Sequence, residues 1–530
     1  MKTELSKNLV QRVALGDIFR RRAATSPDNI AVVETRGDTN IEISYCEFNK
    51  KINNFVYMAR SLGIKKGDRI ALLGPNSIEY LICLYGCAKG GFVALPINPG
   101  LSPEGIAYII NHAEANVLIC DSDLCSLVLD VKQLVPALKT LISFSIFGDS
   151  ITAPFQDFNK LMEGQSDEEV QDVIIQDRDI FEILYTSGTT ADPKGVMISH
   201  LSVFILSLTN PIELDWQRNT VLLSTLPVFH CAQQTFNTSA FHLGGKVVVF
   251  RSFDAAAVLQ AIEREKIQVL FCLPAMYRAM LDCPDSGQTK FASVRKCIYA
   301  MTPMDRRTLE DSIKLFDADF MLCTGQTECF PSTNTFRSEW QLKKEGNYWG
   351  ESALTVDTAI MDDAGNILPQ GGVGEIVWRG PGVMEMYLKN ESATKDSKAF
   401  AWHHSGDLGY FDDDGLLVFV DRKKDMIKTG GENVPSIKVE RVILNHPAVE
   451  AVAVVGLPHE KWIEAITAFV VPVKGSDLTE DAILSLCREN LGGFEIPKKV
   501  VMVGDLPKTT TGKLEKYKIR QSYATLYEKV

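Results

Sequence analysis

The chain has 530 residues, with 55 Lys and Arg against 67 Asp and Glu, a net charge of −12; 45% of the residues are hydrophobic and 23% charged. Its length predicts roughly three to four domain-sized units, and its composition excludes a disordered chain while supplying apolar material for large cores. The acidic balance argues against nonspecific binding to nucleic acid or anionic membranes, and no apolar run approaches the roughly 20 residues that span a bilayer.

At the N-terminus, Glu4, Lys7, Arg12 and Asp17 interrupt any signal-peptide core. Leu15–Ala24 reads as an amphipathic helix, and cytoplasmic residence is the expectation. Strand and helix patterns then alternate. Asp68–Leu73 is a strand, Ser77–Cys87 a helix, Gly91–Ile97 a strand, Pro103–Ala113 a helix and Ala115–Cys120 a strand. The rhythm returns at Thr220–Thr225, Lys246–Phe250, Ala255–Glu265 and Val269–Leu273. It predicts parallel sheets with helices packed on their faces. The most apolar stretch, Tyr80–Leu95, is broken by Lys89, Gly90 and Gly91.

From about Thr355 the texture changes. Val356–Met361, Gly374–Arg379 and Leu416–Asp421 read as short strands, parted by the turn signals Asp362–Gly365 (DDAG) and Asp412–Gly415 (DDDG). This predicts a small antiparallel, barrel-like section. A charged break at Asp421–Asp425 (DRKKD) precedes about 105 residues sufficient for a small α/β domain. Ser436–Asn445 is a helix there, Val449–Gly456 and Ala465–Val473 are strands, and Thr479–Leu491 is a helix. The expected division is a large domain 1–421, a hinge 422–427 around Lys424, and a small domain 428–530. The twelve Cys lack a CxxC pair and the eight His lack HExxH, so buried reduced thiols and no zinc site are expected.

The chemistry concentrates at Tyr185–Gly195 (YTSGTTADPKG), which follows the apolar run Ile180–Leu184. A strand therefore feeds a loop whose hydroxyls and backbone N–H groups suit phosphate oxygens, and Lys194 adds a cation. It is not a Walker loop, because Pro193 and Gly195 stand where that motif needs Gly and Ser or Thr. No GxGxxG follows a strand elsewhere. Six further segments accompany it: Pro227–His230 (PVFH), Thr324–Glu328 (TGQTE), Ser405–Asp407 (SGD), Asp421–Lys424 (DRKK), Gly430–Asn433 (GGEN) and Pro507–Lys513 (PKTTTGK).

Together these segments resemble, in order and over nearly the whole chain, the motifs of adenylate-forming enzymes: acyl- and aryl-CoA synthetases, luciferases and peptide-synthetase adenylation domains. Three departures stand out. Ala191 replaces a usual Gly, Thr324 replaces an aromatic that stacks on adenine, and Ala300–Met304 lacks a common Gly pair. The resemblance implies an ATP-dependent acyl-CoA synthetase with ATP, Mg²⁺ and CoA at its site. It implies that Thr186, Ser187, Gly188, Thr189, Thr190 and Lys194 hold phosphates, and that Thr324, Gly325 and Gln326 border the nucleotide. Thr327 would meet the α-phosphate, and Glu328 would bind Mg²⁺. Otherwise Thr327 and Glu328 read as a helix cap with a first-turn carboxylate. Asp407 and Arg422 would reach the ribose, and Lys513 would bridge the acid and the α-phosphate. After rotation about Lys424, Lys428, Gly430 and Gly431 would line the thiol path.

His230 is implied to line or gate the acid pocket, with Phe229, Phe236, Met301 and Met304 as candidate apolar walls against a default of core packing. No Arg or Lys is placed for a second carboxylate, which favours a small-molecule monocarboxylic acid with a fatty, aryl or branched tail. A homodimer is compatible with this reading. Two alternatives accompany it: a stand-alone adenylation enzyme that loads a separate carrier protein, and a degenerate acyl- or nucleotide-binding protein.

Overall fold

The computed structural model describes residues 2–36, 39–186, 193–287, 289–300, 304–508 and 514–528. The chain divides into two compact units. One comprises Met1–Glu345, Trp349–Thr358 and Trp378–His403; the other comprises Gly346–Tyr348, Ala359–Val377 and His404–Val530.

The larger unit holds two predominantly parallel stacks of strands. In one, the order is Met386–Tyr387, Lys194–Ser199, Ile180–Thr186, Val93–Ile97, Arg69–Leu73, Val117–Asp121, Thr140–Phe144 and Gln156–Asp157. Its central strands are parallel, and its first three are antiparallel neighbours. In the other, Asp319–Thr324, Lys296–Tyr299, Val269–Cys272, Val221–Ser224, Lys246–Val249 and Ile30–Arg36 lie side by side and parallel. The expected strand–helix alternation is present, because crossover helices place both faces of such sheets out of water.

Local signals set the element ends. The helix Ile78–Gly90 starts where the Ser77 side chain accepts the Tyr80 N–H, and it stops at left-handed Gly91. It packs so closely on the helix Tyr45–Ser61 that a methyl at Gly86 would lie 2.2 Å from the Phe55 ring. Lys89, which breaks the apolar run, is buried in this helix. Its ammonium donates to Asn49, Asn53 and Glu169 at 2.6, 2.9 and 2.9 Å, the arrangement that makes a buried charge tolerable. All twelve cysteines are free thiols, and nine are buried. Among the described residues no helix is long and apolar enough to cross a membrane.

The smaller unit takes in most of the strands Asp357–Met361, Gly374–Arg379 and His403–Phe411 and all of Leu417–Arg422, adjacent in that order. Their two DD-type turns share one mechanism. Asp362 accepts from the N–H groups of Ala364 and Asn366, and Asp412 from those of Asp414 and Leu416. The following chain forms a five-stranded sheet from Glu432–Val434, Ile427–Thr429, Ile463–Pro472, Val449–His459 and Lys499–Met502. Alternate residues of its strands enter different cores. Val452, Val454, Ile466 and Val470 pack with Val439, Ile443 and Ile483, while Val455, Leu457 and Phe469 pack with Leu506 and Ile519.

Candidate active site

In the larger unit, the strands Ile180–Thr186 and Lys194–Ser199 pair antiparallel and place Thr186 directly opposite Lys194. These two residues bracket the phosphate loop. Ser187, Gly188, Thr189 and Thr190 lie outside the described residues, as do Ala191, Met301 and Lys513. Lys194 points its ammonium at the ring of Tyr387, 4.9 Å from the centroid, a cation–π contact. Tyr387 reaches this place through the strand Met386–Tyr387, which pairs with Lys194–Ser199 in the register Tyr387 to Val196. Its hydroxyl donates to Glu328 Oε1 at 2.9 Å. The loop lysine and the expected metal carboxylate thus share one aromatic neighbour.

Glu328 sits in the short 3-10 helix Thr327–Cys329, just beyond the strand Asp319–Thr324. The cap position of that helix is Gln326, and it makes no side-chain cap bond. Thr327 is therefore not the cap of this helix, whereas Glu328 is a carboxylate in its first turn. Gly325 is required by close approach, since a Cβ there would lie 2.9 Å from Pro331 Cβ. The Thr324 carbonyl accepts the Thr333 N–H at 2.8 Å, while its buried hydroxyl makes no hydrogen bond among the described residues.

His230 stands at the N-cap of the helix Cys231–His242, and its Nδ1 accepts the Ala232 N–H at 3.3 Å. That bond puts the proton of a neutral ring on Nε2. The Cys231 thiol donates to Thr327 Oγ1 at 3.7 Å. Cys231 therefore joins the expected acid-pocket segment to the expected α-phosphate segment. Phe236 belongs to the core, tilted against Trp216 and Phe271 at ring distances of 5.7 and 4.3 Å.

In the smaller unit, Asp407 lies directly opposite Arg422 across the strand pair, with Arg422 Nε 3.7 Å from Asp407 Oδ1. Ser405 shapes this motif: its hydroxyl accepts the Asp407 N–H at 3.0 Å and donates to the Ile376 carbonyl. Gly406 takes a φ of +73° and donates its N–H to Glu375 at 2.9 Å. Lys424 lies exposed in a tight turn closed by the Asp425 N–H on the Arg422 carbonyl at 2.9 Å. Lys428, Gly430 and Gly431 form a hairpin with Glu432–Val434, in the register Thr429 to Glu432. Both turn residues have positive φ, +60° and +93°, which explains the glycine pair.

Glu182 escaped the motif reading. It lies on the strand that feeds the phosphate loop, it is fully buried, and neither carboxylate oxygen is hydrogen-bonded within distance and angle limits among the described residues. Burial pushes its pKa up to about 8, with the Gln234 amide pulling weakly the other way. An unfolded chain ionises such a group near 4.5, so the folded protein loses stability as pH rises between those values. Glu182→Gln is expected to raise Tm at pH 8, by up to about 5 kcal/mol of stability, and to flatten the pH dependence below that point. Thermal melts of both proteins across this range provide the check; a lower Tm for the variant at pH 8 would show that the carboxyl is needed by the fold. No sequence motif points to Glu182, Tyr387 or Cys231; only spatial placement does.

Two family models and several known proteins match this chain. The sequence model of the AMP-binding enzyme family matches residues 19–388, and that of the AMP-binding enzyme C-terminal domain matches residues 438–513. The chain is 32% identical over 518 residues to a long-chain-fatty-acid–CoA ligase of Mycobacterium tuberculosis, covering 97% of this chain and 99% of the relative. It is 30% identical over 486 residues to a crotonobetaine/carnitine–CoA ligase of Salmonella typhimurium, covering 90% and 93%. ATP-bound MatB of Rhodopseudomonas palustris superposes with a TM-score of 0.87 at 26% identity, over 97% of this chain and all of that one.

Proposed function

We propose the following course of reaction, on the premise that this chain belongs to the AMP-binding enzyme family and, within it, to the acyl-CoA synthetases. The carboxylate of an acid attacks the α-phosphorus of ATP. A carboxylate oxygen–phosphorus bond forms, the bond to the bridging oxygen breaks, and pyrophosphate leaves. The CoA thiolate then attacks the acyl carbon; the carbon–sulfur bond forms and AMP departs.

The observation that carries this reading is the Lys194–Tyr387–Glu328 constellation beside the hairpin that brackets the hydroxyl-rich loop. Lys194 and the loop residues hold the leaving phosphates, and Thr327 donates to an α-phosphate oxygen. Such fixed donors and cations stabilise the charge that builds in phosphoryl-type transfer. Among the described residues no cluster of three or more Asp, Glu, His or Cys forms a metal cage. Mg²⁺ needs none when phosphates and water complete its shell, so the single carboxylate of Glu328 fits it. When bound there, the ion would neutralise phosphate charge. His230, at the start of the helix Cys231–His242, lines the acid pocket. Asp407 accepts from the ribose hydroxyls and Arg422 supports it. Rotation about Lys424, in a hinge 422–427, exchanges Lys513 for the Lys428–Gly431 hairpin between the two half-reactions. Relatedness leaves the acid open, since its relatives are named for long-chain fatty acids in one case and for crotonobetaine and carnitine in another.

The test is AMP release from ATP–Mg²⁺ across a panel of acids, with and without CoA. Acid-dependent release that accelerates strongly with free CoA is expected. Pyrophosphate release indifferent to CoA would redirect the second step to a carrier protein. Absence of both products with every acid would defeat the ligase reading.

A further inference from the structure

The helix Pro103–Ala113 stands beside the strand pair that brackets the phosphate loop. Ile106, Ala107, Ile109, Ile110 and Ala113 bury one of its faces in the core of the parallel sheet. Tyr108 and His112, one turn apart, share a second face that is only partly buried. Their rings stack, with centroids 5.5 Å apart and planes within 7° of each other.

Each of these side chains reaches one end of the loop. His112 Nδ1 and the Tyr185 hydroxyl are hydrogen-bonded at 2.6 Å, and the Tyr108 hydroxyl donates to the Pro193 carbonyl at 3.2 Å. Tyr185 immediately precedes Thr186, and Pro193 immediately precedes Lys194. The Tyr185 ring lies flush on the second strand, since a Cβ at Gly195 would come within 3.1 Å of it. Strand pairing ends at Thr186 and Lys194, so Pro193 is beyond the ladder. Proline has no N–H, and its carbonyl is the one backbone group by which it can be held. Tyr108 holds it.

The fold does not depend on these two bonds. The strand ladder closes without them, and the helix is anchored by its buried face. Neither ring fills a core, because a cavity of about 440 Å³ borders Tyr108, His112, Pro193 and Lys194. What the bonds fix is the direction of the chain at Thr186 and Lys194. A donor or cation aimed at a leaving group works best when it needs no reorganisation, and a small misplacement is costly.

We propose that Tyr108 and His112 are positioning residues for adenylation, bracing Thr186 and Lys194 through Tyr185 and Pro193. This deepens the acyl-CoA synthetase reading and rests on it. The brace serves only the step in which pyrophosphate leaves. Thiolysis of acyl-AMP involves no leaving phosphates, so that step is indifferent to it.

The experiment follows both half-reactions of the full-length protein. One is acid-dependent pyrophosphate release from ATP–Mg²⁺; the other is CoA-dependent AMP release from the synthetic adenylate of the same acid. Tyr108→Phe and His112→Phe each delete one hydrogen bond and keep a ring. Each should lower kcat for adenylation about 3- to 10-fold, the effect of one hydrogen bond, and leave KM for the acid and the thiolysis rate unmoved. His112→Asn, whose amide offers both a donor and an acceptor near the place of Nδ1, should regain most of the lost rate. Equal losses in both half-reactions overturn the proposal and leave the ligase standing. So does adenylation at the wild-type rate in both Phe variants, or a His112→Asn protein no faster than His112→Phe. Should His112→Phe fold poorly, Tyr108→Phe, which loses a single oxygen, decides alone. Wild-type protein that releases no pyrophosphate with any acid removes the ligase reading, and the brace with it.

Discussion

Lys513→Ala is expected to cut acid-dependent pyrophosphate release by about 100- to 1000-fold, the usual consequence of removing one preorganised charge partner from a transition state. The carboxylate and the α-phosphate are both anionic, and they must approach to bonding distance. In the reading proposed above, Lys513 is the cation that bridges them. Thiolysis makes a different demand, because the acyl-phosphate bond already exists and the nucleophile is the CoA thiolate. Synthetic acyl-AMP supplied with CoA should therefore be converted far less impaired by the substitution. Measuring both half-reactions on one preparation separates the outcomes. Equal loss in both would mean a general folding or binding defect, and full adenylation activity would remove Lys513 from the chemistry.

Glu328→Gln should lower adenylation kcat by about 100-fold and raise the Mg²⁺ concentration required, through loss of charge at nearly constant shape. The substitution keeps an oxygen that can accept the Tyr387 hydroxyl, which now donates to Oε1 at 2.9 Å. The packing of Lys194 over the Tyr387 ring should therefore persist. Tyr387→Phe removes only the hydroxyl and predicts a smaller loss, about 3- to 10-fold, consistent with one hydrogen bond to a charged group. Mg²⁺ titrations of pyrophosphate release for the three proteins give the comparison. An unaltered Mg²⁺ requirement in Glu328→Gln would count against a metal role for this carboxylate.

By itself the sequence determined the alternation of elements, the turn chemistry and the motif positions, because each depends on neighbours within a few residues. Pro103–Ala113 is helical as its pattern predicts, with Ser102 accepting the Gly105 N–H at its start. The DD-type turns, the strands around them and the Gly430–Gly431 hairpin follow likewise from local hydrogen bonding and permitted φ. The helix Cys231–His242 was not legible. Its CAQQTFNTSAFH lacks an apolar period, yet tertiary packing buries it along its length. Tyr387 lies 59 residues beyond Glu328 in the chain, and only sheet pairing with Val196 brings them within a hydrogen bond. Glu182 reads as one polar residue in an apolar strand. That it has no charged partner among the described residues is a property of the elements packed against it, because burial and pairing are decided by distant segments and not by the strand that carries the side chain.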